Sequence, residues 1–299
     1  MNALPDKYLN SVINADVMDV LRDLPDDSVD MIYGDPDYNV GVRYDGQAFT
    51  SSWNEYIEWY IGLARECLRV LKTDGNMFFI NYPKQNAHLR VKYLDDHAYS
   101  VHDYVWVYNT NIGHTKRRFT TAHRSILHAT KSKQNRFYKE QVAQPYKNPD
   151  DVRIKERIRQ GHKGRMPYSW LNYNLVKNVS RQKTHHPCQI PEDLSELLIK
   201  SCTLPGDTAF VLFGGSGSEV VQAKNLGLNY LTCELQQSYC KMIESRLRNS
   251  GAIDHEYMHP VQQKRYTNGT ARARIDEEQR KLLEKKAKYQ AQRTANEVA

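Results

Sequence analysis

Apolar positions change period several times along the first 110 residues. "VDMIYG" (29–34) is a short apolar run that ends in a turn, the pattern of a strand buried on both faces. Residues 53–75 then place Tyr56, Ile57, Tyr60, Leu63, Ala64, Cys67, Leu68 and Leu71 at helical spacing, with Gly75 as the stop signal. "NMFFINY" (76–82) and "YSVHDYVWVYN" (99–109) return to strand patterns. Alternation of strand and helix predicts an α/β sheet.

The same rhythm resumes near the C-terminal third. "PEDLSELLIKSCTLPGD" (191–207) reads as a helix opened by Pro191 and closed by Pro205-Gly206. "TAFVLF" (208–213) is a strand, "GGSGSEVVQAKNLG" (214–227) a turn into a helix, and "NYLTCEL" (229–235) a strand before a last helix over 237–249. Between the two rhythmic parts, "RSILHAT" (124–130) has the apolar content of a further sheet strand. From Asn135 to Lys183 periodicity weakens and Pro145, Pro149, Gly161, Gly164 and Pro167 punctuate the chain, as in an insert or a small separate domain. The stretch from about 255 to 299 is polar, with Ile275, Leu282 and Leu283 as the apolar stripe of a solvated helix.

Charge sharpens this division. The net charge is +7 over 299 residues, but His114 to Lys183 holds 18 Lys+Arg against 4 Asp+Glu, a charge of +14 that leaves −7 for the remainder. A concentrated basic block is the footprint of a polyanion partner, and the interleaved aromatics Phe119, Phe137, Tyr138, Tyr146, Tyr168, Trp170 and Tyr173 suit bases as well as phosphates. A solvated basic loop is the alternative. No apolar run approaches the roughly 18 residues of a membrane span, and the N-terminal residues lack a signal-peptide pattern. The five cysteines form no CxxC pair, which predicts free thiols in a cytoplasmic protein and no metal site.

Two local patterns carry chemistry. Gly214, Gly215, Ser216 and Gly217 lie between a strand and a helix, where small residues let the backbone approach a ligand and the helix offers its N–H groups. Glu234 ends the next strand, 17 positions after Gly217, where a carboxylate can accept both ribose hydroxyls of a nucleoside. That ligand could be a nicotinamide cofactor or S-adenosylmethionine. The second pattern is Asp35-Pro36-Asp37-Tyr38, at the carboxyl end of the strand 29–34. Proline stiffens the turn and removes a donor. The Asp35 carboxylate and Pro36 carbonyl then offer two fixed acceptors for an amine, beside a tyrosine that can stack on a flat base.

Four segments together resemble the β-class DNA methyltransferases, which methylate exocyclic amines of bases and carry a "DPPY" motif. They are "INADVMDVLRDLPDDSVDMIYGDPDYN" (13–39), "HRSILHATKS" (123–132), "HPCQIP" (186–191) and "FGGSG" (213–217). The resemblance spans about residues 8–249. It implies a Rossmann-like, S-adenosylmethionine-dependent methyltransferase fold of mostly parallel sheet, in permuted order. The catalytic half would be 1–113, the basic target-recognition region 114–184, the cofactor half 185–252, and the polar tail 253–299. The carried-over residues are Asp35, Pro36, Asp37 and Tyr38 for catalysis on a flipped base. Phe213, Gly215, Ser216, Gly217 and Glu234, with Asp16 and Gln189, fall to the cofactor. Lys116, Arg117, Arg118 and Arg124 fall to double-stranded DNA. No metal or covalent intermediate is implied. A cognate restriction endonuclease and a homodimer are the further partners that this family admits.

Two positions depart from the family pattern. Asp37 replaces the second proline of "DPPY", and Val211-Leu212 stands where Asp-Pro is usual before the loop phenylalanine. A catalytically decayed DNA-binding module therefore stays open beside the enzyme. "DPDYNVG" is similar to a variant of methylases acting on the 4-amino group of cytosine, whereas a leading Asp by itself points to the 6-amino group of adenine. Pro187-Cys188-Gln189 is the tripeptide of enzymes that attack cytosine carbon 5 through a thiolate, but there the cofactor loop precedes the cysteine, and here it follows. A nicotinamide oxidoreductase would explain the loop but not the charge.

Overall fold

A computed structural model describes residues 2–48, 50–109, 116–266 and 281. The chain opens with β1 (Ser11–Ile13) and α1 (Val17–Asp23), which Asp16 caps by accepting the Met18 N–H at 2.7 Å. The strand β2 (Val29–Gly34) is buried throughout. A two-stranded hairpin follows, β3 (Arg43–Tyr44) and β4 (Gln47–Ala48), then α2 (Trp53–Val70) and β5 (Leu71–Asn81). A Ser52–Glu55 capping box starts α2. Next, α3 (Pro83–Leu89) runs through a π turn (Arg90–Leu94) into the short α4 (Asp95–His97), ahead of β6 (Ser100–Val107) and β7 (His123–Thr130). The basic stretch contributes α5 (Lys139–Val142), α6 (Val152–Arg159) and β8 (Trp170–Asn172). The C-terminal rhythm supplies α7 (Glu192–Cys202), β9 (Thr208–Val211), α8 (Ser218–Asn225), β10 (Asn229–Cys233), α9 (Gln237–Arg248) and α10 (Pro260–Tyr266).

Eight strands form one sheet in the order β1-β10-β9-β2-β5-β7-β6-β8. Among the described residues, β7 alone runs against the others. Alternate residues feed two cores, as the two-residue period of a strand requires. Ile32, Met77 and Phe79 pack on one face beneath α1 and α2, and Met31, Tyr33, Phe78 and Ile80 pack on the other beneath α7, α8 and α9. Helices on both faces of a mostly parallel sheet make this the Rossmann-like α/β arrangement expected from the sequence.

The helix α2 ends five residues before the position predicted from spacing. Leu71 is extended (φ −66°, ψ 132°) and pairs with Val29, while Met31 pairs with Asn76, so β5 bulges between them. Gly75 lies in that bulge and not at a helix stop: a Cβ there would stand 2.8 Å from the Asp30 carbonyl. The basic stretch is also more integrated than its weak periodicity suggested. The apolar run 124–130 is the sheet strand β7, as its pattern predicted, and the weakly periodic part after it returns to add β8 in parallel beside β6.

The chain divides into two compact units, residues 1–176 with 186–252, and residues 177–185 with 253–299. In the second unit Thr184 bridges to Met258, and the His259 N–H donates to the Lys183 carbonyl at 3.0 Å. The apolar stripe expected at Ile275, Leu282 and Leu283 lies outside the described residues.

Asp30 joins the two sequence halves at the amino ends of their strands. Its buried carboxylate accepts from Lys72 Nζ (2.9 Å), Arg136 Nη2 (2.5 Å) and the Thr208 N–H (2.8 Å). Arg136 extends the network to Asp207 at 2.8 Å. Replacing Asp30 with alanine leaves two cations and one N–H without their shared acceptor. The expected loss is about 3 kcal/mol of stability, read as a lower urea midpoint.

Candidate active site

The strands β2 and β9 are hydrogen-bonded neighbours, yet β2 continues outward to β5 and β9 to β10. Their carboxyl ends therefore splay at a topological switch point, where open α/β sheets bind ligands. A cavity of about 540 Å³ opens there, within the size range of small-molecule sites. Asp35, Pro36, Asp37 and Tyr38 line one side, and Phe213, Gly215, Ser216 and Glu234 line another. Asp16 also lines it while capping α1.

The turn after β2 is pinned from outside. The Tyr56 hydroxyl of α2 donates to the Asp37 carbonyl at 2.9 Å and receives the Asn81 amide at 2.9 Å. Gln85 of α3 donates to the Tyr38 carbonyl at 2.8 Å. Inside the turn, the Asn39 N–H donates to Asp37 Oδ1 at 2.8 Å, and the Tyr44 hydroxyl lies beside the same carboxylate. Tyr38 donates its hydroxyl to Asp35 Oδ1 and meets Tyr82 edge-on at 5.3 Å. The tyrosine expected as a stacking surface is thus also a donor to the leading carboxylate.

Burial pushes Asp35 up to about 7, against the Tyr38 hydrogen bond and the Arg124 charge, which both hold it down. Arg124 lies over Tyr82 at 3.8 Å, 5.4 Å from the Tyr38 ring, and donates to the Tyr108 hydroxyl. The structure sets it beside the turn after β2, whereas Lys116, Arg117 and Arg118 are exposed.

The glycine loop is shaped by backbone that other residues rarely adopt. Gly215 and Gly217 have φ of +49° and +77°, and a Cβ on Gly215 would stand 3.1 Å from the His186 ring. Glu234 accepts the Gly215 N–H and the Gln236 N–H, each at 2.9 Å, and keeps lone pairs for a ligand. Burial raises its carboxyl as well. Two of the residues expected at the cofactor stand back from the cavity. Gly217 caps α8 against Ile243, and the buried Gln189 donates to Ser218 Oγ at 3.3 Å.

Sequence patterns missed several wall residues. Tyr44 and Ala48 reach the cavity from the hairpin, which is tied to α9 through Ser238 and Asp45 at 2.9 Å. Trp59 of α2 faces Phe213 at 6.2 Å. Arg246, fully buried, donates to the Ser216 carbonyl at 2.5 Å and so braces the loop from behind. Glu219 looked like an ordinary acid in a helix first turn, yet it lines the cavity. Cys188 also lines it and receives the Tyr44 hydroxyl at 3.7 Å, while His186 bonds the Cys188 carbonyl.

A family model of DNA methylases of the N6/N4 type matches residues 29–245, and the chain belongs to that family. The type II methyltransferase M.BglII of Bacillus subtilis is 27% identical over 252 residues, covering 80% of this chain and 69% of that protein. The DNA adenine methyltransferase YhdJ of Escherichia coli (strain K12) is 25% identical over 284 residues, covering 92% of this chain and 95% of that one. Among solved structures, the cytosine-N4-specific PvuII DNA methyltransferase shares the fold with a TM-score of 0.60 at 16% identity, over 86% of this chain and 96% of its own. The M1.HpyAVI–SAM complex does so at 0.57 and 21%, over 79% and 98%. Membership of this family sets aside the oxidoreductase and the carbon-5 readings of the sequence.

An acceptor carboxylate must be ionised, so a catalytic role for Asp35 predicts a rate that follows its titration. Since kcat/KM reports groups of the free enzyme, kcat/KM for the methyl donor should fall as pH drops below about 7. Arg124→Gln removes a charge that favours the ionised form and should move this acid limb to higher pH, measured in a pH–rate profile.

Proposed function

We propose that the chain moves a methyl group from S-adenosylmethionine to an exocyclic amine of a flipped DNA base, the 4-amino group of cytosine in the first reading. The observation that carries this is the meeting of Asp35 and the glycine loop in one cavity, at the ends of adjacent strands. Shared fold with the M1.HpyAVI–SAM complex supports the cofactor. The donor set fits it: Glu234 suits ribose hydroxyls, the loop admits close backbone contact, and Phe213 and Trp59 supply an apolar wall.

When bound, S-adenosylmethionine supplies an electrophilic methyl on a sulfonium. The residues of the chain act on the other reactant. An amine conjugated with its ring is a poor nucleophile, and hydrogen bonds from it to Asp35 and the Pro36 carbonyl localise its lone pair. The amine nitrogen bonds the methyl carbon as the carbon–sulfur bond breaks and sulfur keeps the electron pair. The excess proton leaves the nitrogen, and a carboxylate near 7 is well matched to receive it. A base inside a duplex cannot reach this turn, hence the flipping. Tyr38, Tyr82 and Arg124 form the aromatic and cationic surroundings for it.

Double-stranded DNA is the macromolecular partner in this reading, with a companion restriction endonuclease in a cytoplasmic setting. The exposed Lys116, Arg117 and Arg118 suit phosphates. Exposed Tyr168 and Trp170 stack at 5.7 Å, with Arg165 at 4.3 Å from the Tyr168 ring, which suits contact with nucleic acid. The 6-amino group of adenine is the second reading, favoured by the leading Asp35 and by the nearly full-length match to YhdJ.

Asp35→Ala should keep cofactor and DNA affinity while methyl transfer falls by about 100-fold or more. Radiolabelled donor followed by digestion of the DNA to nucleosides reads both the rate and the base. Undiminished transfer would remove Asp35 from the mechanism, and a methyl on cytosine carbon 5 would overturn the whole reading.

Alanine at Lys116, Arg117 and Arg118 together should weaken DNA binding and flatten its salt dependence by roughly one unit of log–log slope per lost phosphate contact. Titrations at several salt concentrations check this.

A further inference from the structure

One acidic side chain in the cavity has no part in the scheme above. Glu219, in the first turn of α8, is 5% exposed and lines the cavity. Among the described residues no ion pair and no hydrogen bond from another residue reaches its carboxylate; its own backbone N–H is the donor. The buried cation whose field it feels, Arg246, is committed elsewhere: to Glu192 at 2.7 Å, the Ser216 carbonyl at 2.5 Å, Ser218 Oγ and the Gly251 carbonyl both at 3.4 Å. Asp35 adds repulsion, and burial with that repulsion pushes Glu219 up to about 8. A buried carboxylate that no other described residue bonds, opening onto a ligand cavity, is a receptor for a cation.

The loop fixes which cation. Gly215 is tied to Glu234, the ribose-side acid, and Glu219 lies four residues further along, in the first turn of the helix into which the loop leads. An S-adenosyl ligand lying along the loop, with its sulfur toward Asp35, carries its amino acid end beyond the sulfur. We infer that Glu219 receives the α-ammonium group of the methionine half of the cofactor. This rests on the cofactor reading given under Proposed function. A charge-assisted hydrogen bond in a cavity of this kind is worth about 10- to 100-fold in affinity.

The test is a chemical double-mutant cycle by calorimetry on the full chain. S-Adenosylhomocysteine, which has the ammonium but no sulfonium, is compared with its analogue bearing hydrogen in place of the α-amino group. Wild type should prefer S-adenosylhomocysteine by about 10- to 100-fold, and Glu219→Gln should bring that ratio near one while binding the des-amino analogue as wild type does. A Glu219→Gln protein that keeps the full ratio overturns the inference. So does one that loses both ligands equally, because that is the mark of a loop-shaping role. Gly215→Asp separates the two levels of the argument. If it binds S-adenosylhomocysteine with wild-type affinity, the cofactor lies elsewhere and the underlying reading fails with the inference.

Discussion

Asp30 and Thr208 are 178 positions apart, yet the carboxylate of one accepts the backbone N–H of the other at 2.8 Å. That bond marks the seam where β2 meets β9, and everything functional in the molecule is arranged across it. The strands must be parallel neighbours for their carboxyl ends to face the same way. They must also lead to opposite flanks of the sheet for a cleft to open between their loops. Lys72 and Arg136 neutralise Asp30 and bring β5 and the basic stretch just after β7 to the same point. A buried anion of this kind is tolerable because two cations and a backbone N–H all donate to it.

At the other end of the same strands the balance is reversed. Asp35 and Glu219 are carboxylates held in the cavity wall with more burial than compensation, and both have their ionisation displaced upward. Such groups cost stability in the empty protein once the pH exceeds the ordinary carboxylate range. Ligands that carry positive charge or N–H donors are the kind that would relieve them. The seam stabilises and the site is strained electrostatically, on one pair of strands.

The basic stretch is where sequence pattern and tertiary placement part most clearly. Its composition marks a polyanion contact, but its residues do several jobs. Arg136 locks the seam, Arg124 tunes Asp35, Lys131 reaches Asp27 at 2.6 Å, and Lys116 to Arg118 stay exposed. Charge counting treats these alike because it has no knowledge of burial. An electrostatic reading of DNA contact therefore belongs to the exposed members alone.

The linear sequence determined the sheet class, the turn 35–38, the loop 213–217 and the acid at 234, because each is a local pattern. A buried strand needs a run of apolar residues, a left-handed backbone favours glycine, and proline stiffens a turn. The early end of α2 was hidden because Leu71 fits the helical stripe equally well, and it is pairing with Val29 that extends it. Glu219 and Arg246 carried no signal, since an acid in a first turn and a base in a last turn suit any helix. What puts the one in the cavity wall and makes the other a brace is burial against residues distant in sequence. Only the closing of two distant halves into one sheet could decide that.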